Sequence, residues 1–205
     1  HSAVQRMFSL KFVTTFPDNP RQGLPTIQSL LILTDGTTGA HLAVLDGASL
    51  TAIRTGAASG LATDLLARPD AATVAVFGAG VQARTQLEAV CCVRTIRRAS
   101  VYDPDSTAAD RFAAEMTDRL GVQVERAETP AKNLADADVV CTATSSCKPV
   151  FADSGLLTGV HLNAVGAYRP EMAEIPAGVV CRARVVVDHR ASALEEAGDL
   201  LQPLR

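Results

Sequence analysis

VAVFGAGVQARTQ, residues 74–86, sets an apolar run directly against two glycines one residue apart, with an alanine three positions further on. Between a strand and a helix, Gly78, Gly80 and Ala83 match the spacing G-x-G-x-x-G/A. Gly78 permits the tight turn, Gly80 lets a pyrophosphate approach the backbone, and Ala83 is small enough for helix-on-strand packing. The helix that follows aims its free N–H groups and the positive end of its dipole at the phosphates. A second strand closes as VYD, so Asp103 follows Ala83 by 20 residues, where a carboxylate accepts hydrogen bonds from an adenosine ribose. A plain strand-to-helix turn is the bland alternative, but strand, helix, second strand and terminal acid in this order argue for a dinucleotide site. Asp103 repels a 2′-phosphate and no arginine follows it closely, which favours NAD, with NADP as the alternative.

Outward from that turn the pattern repeats. After Pro69 come TVAVFG, VQARTQLEAV, ASVYD, STAADRFAAEMTDRL, VQVERA, AKNLADA, DVVCTAT, GVHLNAVG and ARVVVDH. Short apolar runs alternating with helices predict a parallel sheet covered on both faces, an α/β, Rossmann-type doubly wound domain over 69–205. Residues 1–68 form a different, β-rich region. FSLKFVTTF (8–16) alternates at period two, PDNPRQGLP (17–25) is a loop, and TIQSLLILTD and AHLAVLDG flank GTTG as a hairpin. Leu50, Ile53, Ala57, Leu61 and Leu65 fall at helical spacing, with Ser49 as the expected cap and Pro69 just past the end. The small residues TGAASG (55–60) inside this helix let another backbone or a ligand come close.

Composition excludes several function classes. With 205 residues, 47% hydrophobic, 20% charged and a net charge of −3, the chain reads as globular, with no basic surface for a nucleic-acid partner. It has no Trp and only two Tyr, so stacking platforms for single strands are missing. Five cysteines, an odd number with two adjacent and no CxxC, suit neither a disulfide framework nor a zinc site, and a reducing cytoplasm is expected. No metal is implied. No run approaches the ~18 to 20 apolar residues of a membrane span, so no membrane partner is expected.

Other candidates are ambiguous taken singly. CTATSS (141–146) ends a strand at the carboxyl edge of the sheet, where open α/β folds bind ligands; Thr144 there is either a cofactor contact or a turn hydroxyl. His161 and Asn163 share one strand face by alternation, and His161 reads as a core or surface histidine. Lys11 among phenylalanines reads alone as a solvated strand face, and Arg54 as a solvated helix residue.

Taken together, LKFVTTFPDNPRQGLPT, LTAIRTGAASGLATDLLA, FGAGVQARTQL, CTATSS and GVHLNAVGAYRPEMAEI resemble the ornithine cyclodeaminase/mu-crystallin family over about Phe8 to Leu201. The resemblance implies an NAD(P)-dependent oxidoreductase acting at the α-carbon of a small amino acid or cyclic imino acid, and a homodimer. It implies that 1–68 is a partial substrate-binding and dimerisation domain ending in a connecting helix. Lys11 then binds the substrate carboxylate, and Thr26 and Arg54 line the junction of substrate and cofactor. Gly78, Gly80, Val81, Gln82, Asp103 and Thr144 contact NAD, as does the backbone of Leu162, Asn163, Ala164 and Val165 near the nicotinamide. A lysine and an arginine can neutralise one carboxylate, the arginine through a bidentate fork.

Two departures from the family pattern carry weight. Where the cyclodeaminases have an aspartate after the Asn-Ala-Val-Gly turn this chain has Tyr168, and Met172 occupies a nearby lysine position. The resemblance is therefore to the mu-crystallin and ketimine-reductase side, typified by reduction of Δ1-pyrroline-2-carboxylate. Ornithine cyclodeaminase and a non-catalytic NAD(P)-dependent binder of a small ligand are the alternatives. Family members also have a segment before the position of Phe8 and continue past Arg205, so the chain is expected to correspond to the middle of a longer protein.

Overall fold

Alternation along the first strands leads directly to sheet pairing. In the computed structural model, which describes residues 6–16 and 18–204, β1 (Met7–Thr15), β2 (Ile27–Asp35) and β3 (His41–Asp46) form an antiparallel sheet in that order. Lys11 pairs with Leu31, and Phe8 with Thr34. The expected hairpin between β2 and β3 closes because Asp35 Oδ1 accepts from Thr37 N and Thr38 N at 2.9 and 2.7 Å and Gly39 takes a φ of +77°, a left-handed value that glycine reaches without strain. Phe8, Leu10 and Phe12, the alternating apolar set of β1, are exposed.

Helix α1 (Gly47–Leu66) follows β3 directly. Its cap is Asp46 and not Ser49. The Asp46 carboxylate accepts from Ala48 N at 3.2 Å and Ser49 N at 3.0 Å, and Ser49 Oγ donates to it as well. An ionised carboxylate with two acceptor oxygens at the dipole's positive end satisfies more of the free N–H groups than a hydroxyl can.

The chain divides into compact units 1–54 and 55–205, so the division falls inside α1 and not near Pro69. Close helix packing explains this. A Cβ on Gly56 would lie 2.6 Å from the Thr85 carbonyl oxygen, and one on Gly60 would lie 3.1 Å from the Ala89 Cβ. The small residues at 55–60 thus admit another backbone, that of helix α2 (Val81–Val93), and commit the later turns of α1 to the second unit.

The second unit is a five-stranded parallel sheet in the order β6-β5-β4-β7-β8. Its strands are β4 (Thr73–Phe77), β5 (Arg98–Tyr102), β6 (Gln123–Arg126), β7 (Val139–Thr142) and β8 (His161–Ala164), with helices α2 (Val81–Val93), α3 (Ser106–Leu120), α4 (Pro130–Leu134), α5 (Ala177–Arg182), α6 (Arg190–Glu196) and α7 (Gly198–Leu201). Leu87 and Val90 of α2 and Phe112 and Met116 of α3 bury one face with Val74, Val76 and Val101. Leu134 of α4, Val179 of α5 and Phe151 bury the other with Phe77 and Val140. Both faces are covered, as a doubly wound sheet requires, and the order reverses beside β4, placing a crevice at the carboxyl ends of β4 and β7. ARVVVDH (183–189) forms no strand, and Val185, Val186 and Val187 stay exposed. β-branched residues supply propensity, but a strand exists only where a neighbour takes its hydrogen bonds. Among the described residues no helix is long and apolar enough to cross a membrane.

Candidate functional site

Four strand ends meet at the carboxyl edge of the parallel sheet. Gly78 continues from β4 with a φ of +95°, and a Cβ there would sit 2.6 Å from the Ala143 carbonyl oxygen and 3.2 Å from Thr144 Cγ2. The fold itself demands glycine at this position. Gly80 differs. It caps α2 with φ −82° and ψ −172°, backbone that any residue adopts, and a Cβ would meet nothing within 4 Å. The space in front of it lies over the amino end of α2, whose first-turn N–H groups have no partners within the helix.

Asp103 stands against this turn. Its Oδ2 accepts from Ala79 N at 2.9 Å and its Oδ1 from Asp105 N at 2.9 Å, while Gly78 N donates to the Tyr102 carbonyl at 2.9 Å. Val81 is exposed on the first turn of α2. Gln82, beside it, holds a buried Oε1 with no hydrogen-bond partner among the described residues. An open cradle over Gly80, a carboxylate against the turn and an unpaired buried acceptor are what a dinucleotide's diphosphate and hydroxyl groups fit, so the residues present suit such a cofactor.

Arg84, one turn along α2, was not singled out from the sequence. Its Nη1 donates to the carbonyls of Ala79 and Gly80 at 2.6 and 3.0 Å, and its Nε and Nη2 grip Glu115, whose carboxyl this contact holds below the usual range. Arg84 thereby ties the turn's carbonyls back to the helix. The only signal in the sequence is an arginine four residues after Gly80.

On the other side of β4, Thr144 adjoins Gly78; its Oγ1 accepts from Ser146 N at 3.1 Å. β8 carries Leu162, Asn163 and Ala164, and Val165 N donates to the Thr142 carbonyl at 3.0 Å. The Asn163 side chain is buried and turned inward, with Nδ2 donating to Thr63 Oγ1 at 2.9 Å and Oδ1 lying 3.1 Å from His161 Nε2. Only its backbone is available at the edge. Burial lowers the His161 pKa, in keeping with a core histidine.

Behind Thr144 lies Glu174, also unremarked in the sequence. It is wholly buried and accepts from Thr142 Oγ1 at 2.8 Å, Thr144 N at 2.6 Å and Gly166 N at 2.7 Å. Burial pushes its carboxyl pKa up against these donors. The available signal is one acid within MAEIP, whose other four residues are all buried. Tyr168 is exposed, with the Arg169 guanidinium 5.5 Å over its ring, and Met172 is buried.

Lys11, Thr26 and Arg54 belong to the first unit. Lys11 Nζ donates to Thr51 Oγ1 at 2.6 Å, and Arg54, exposed, follows Thr51 by three residues on α1, so Thr51 and Arg54 share a helix face. Thr26 precedes β2, with its carbonyl accepting from Phe16 N at 2.8 Å. Leu31, the partner of Lys11, is five residues away, roughly 16 Å along an extended strand.

An open parallel sheet with a glycine turn at its order reversal is the dinucleotide-binding class of α/β fold. The chain belongs to the ornithine cyclodeaminase/mu-crystallin family, whose model matches residues 1–204. It is 41% identical over 197 residues to a Δ1-pyrroline-2-carboxylate reductase of Bacillus cereus (strain ZK / E33L), covering 96% of this chain and 60% of that protein. The structure of the Thermococcus litoralis Δ1-pyrroline-2-carboxylate reductase, solved with NADH and L-proline, is 40% identical with a TM-score of 0.90, covering 96% of this chain and 61% of that one. A lysine cyclodeaminase structure that addresses recognition of L-lysine, L-ornithine and L-2,4-diaminobutyric acid is 45% identical with a TM-score of 0.86, covering 96% and 58%. The chain thus spans about three-fifths of the length of these relatives.

Proposed function

We propose that the protein is an NAD(H)-dependent oxidoreductase that reduces a small cyclic imino acid, of which Δ1-pyrroline-2-carboxylate is the type, to the corresponding amino acid. Bound NADH supplies the hydride. Supporting the cofactor half are the open cradle over Gly80 and the Asp103 carboxylate against Ala79 N. There Asp103 accepts from the adenosine ribose, and the amino end of α2 faces the diphosphate. NAD is preferred to NADP because Asp103 repels a 2′-phosphate. Thr144 and the backbone of Leu162 to Val165 receive the nicotinamide end.

For the substrate, Lys11 and Arg54 neutralise and orient the carboxylate, and orientation alone is worth up to ~7–11 kcal/mol in favourable cases. The observation that carries reduction over deamination is the identity of residue 168 together with the burial of Glu174. Position 168 is tyrosine, and Glu174 is sealed behind the edge by Thr142, Thr144 and Gly166. Neither offers a free carboxylate to a substrate's side-chain amine, and imine reduction needs no such base.

A second reading is a cyclodeaminase, favoured by the 45% identity to the lysine cyclodeaminase. Absorbance of NADH and release of ammonia, followed together with cyclic imines, ornithine and lysine as substrates, separate the two. Imine-dependent NADH oxidation without ammonia from the diamines is the expected outcome; efficient ammonia release with negligible imine reduction would reverse the assignment.

A further inference from the structure

The β7–β8 ladder stops at Thr142 and Ala164, and the Val165 N to Thr142 carbonyl bond is its last rung. Past that rung one carboxylate replaces the ladder. Glu174 Oε2 accepts from Thr142 Oγ1 and Gly166 N, and its Oε1 from Thr144 N. Three donors converge on one group from two separate strand ends. The clasp is itself anchored, since Asp199 Oδ1 accepts from Glu174 N and Ile175 N at 2.7 and 2.9 Å, and Ala173 N donates to the Ser146 carbonyl at 3.1 Å. Its fit is close. A Cβ on Gly166 would fall 2.3 Å from the Thr144 carbonyl oxygen and 2.4 Å from Glu174 Oε1.

We propose that Glu174 is a positioning residue for the nicotinamide end of the cofactor: by holding Thr144 and Gly166 at a fixed separation, it sets the gap between the β7 and β8 strand ends that receives the ring. This rests on the reading above, that the ring lies along the Thr144 and Leu162–Val165 backbone. A carboxylate suits the task where an amide does not. All three partners donate, so an amide N–H placed here meets another donor and at least one buried hydrogen bond is lost. Glu174 has no exposed surface, and its role is exerted through the two backbone segments it holds.

The test compares two ligands that share the adenosine half, ADP-ribose and NADH, on the full-length protein, with NADH fluorescence as the readout. Glu174→Gln is expected to weaken NADH binding about tenfold or more, as loss of a buried charge-assisted hydrogen bond implies, and to blue-shift or dim the bound-nicotinamide emission. ADP-ribose affinity stays within about threefold, because the Gly78–Asp103 side is untouched. Thr142→Val, which removes one donor and keeps its volume, is expected to do the same more weakly, about threefold, and decides the matter if Glu174→Gln does not fold. Asp138→Asn, at the opposite edge of the sheet, serves as the control: it lowers the melting temperature and leaves the NADH to ADP-ribose ratio unchanged. Equal weakening of both ligands by Glu174→Gln, or weakening of neither, overturns the positioning role while leaving the dinucleotide site standing. A wild-type protein that binds neither ligand removes the dinucleotide reading and this inference with it.

Discussion

Alanine substitution at the two glycines of the turn separates what the fold needs from what a ligand needs. At Gly80 the backbone is extended and the new methyl meets nothing within 4 Å, so Gly80→Ala introduces no strain. By narrowing the unfolded ensemble it stabilises the chain by ~0.4–1 kcal/mol, which raises the melting temperature by a few degrees at most. At Gly78 the φ of +95° costs an alanine ~1–3 kcal/mol, and the contact at 2.6 Å with the Ala143 carbonyl adds to that by pushing the β4 and β7 ends apart. Gly78→Ala therefore lowers the melting temperature by several degrees or prevents folding. Binding should follow a different order. The methyl at position 80 occupies the space in which a diphosphate reaches the α2 amino end. Loss of one hydrogen bond to a charged group costs ~1.5–3 kcal/mol, or about 10- to 150-fold in NADH affinity. Differential scanning calorimetry and NADH fluorescence titration on the same preparations measure both quantities. A Gly80→Ala protein that keeps wild-type NADH affinity would show that the space does not receive the diphosphate; one as unstable as Gly78→Ala would refute the premise that the space is open.

Three other outcomes follow from particular contacts. Arg54→Ala should raise the KM for the imino acid by about ten- to a hundredfold, the value of a charge-assisted contact, with ADP-ribose affinity unchanged; if both fall together, the arginine has a folding role instead. Gln86 is wholly buried on α2 with neither amide atom paired among the described residues, so Gln86→Met should be neutral or stabilising by up to ~1–2 kcal/mol in chemical denaturation, whereas a loss of that size would mean that the amide has a partner in the folded protein. For Asp138, burial acts upward on the pKa, but hydrogen bonds from Ala72 N, Thr73 Oγ1 and Thr73 N, together with the Arg68 guanidinium, outweigh it and hold the carboxyl below its ordinary value. A carboxyl held low stabilises the fold above its unfolded pKa and loses that contribution as pH falls through the folded value. The stability gap between wild type and Asp138→Asn, about 1–2 kcal/mol at neutral pH, should therefore shrink below about pH 4; a gap that is constant from pH 3 to 7 would contradict the assignment.

What could be read from the sequence was what is local. The run from β4 through Gly78, Gly80 and Ala83 to Asp103 encodes its geometry within thirty residues, because glycine freedom, helix start and strand end each act on neighbours in the chain. The cap at α1 shows the limit of that logic. Ser49 and Asp46 are both good capping residues, and the choice fell to Asp46 because the helix begins at Gly47, three residues earlier than hydrophobic spacing indicates. The division inside α1 was half visible in TGAASG: small residues announce a close approach without saying which backbone comes near. Glu174 was the least accessible, since its donors lie 8 to 32 residues away in the chain and meet it only once β7 and β8 are paired. A buried acid is expensive unless every lone pair finds a donor, so an acid amid apolar residues is itself a sign that donors must converge on it. In the positioning role proposed for Glu174, the same cost that makes the residue conspicuous would also make the gap it holds rigid, and a rigid gap is what orienting a flat ring for hydride transfer would require.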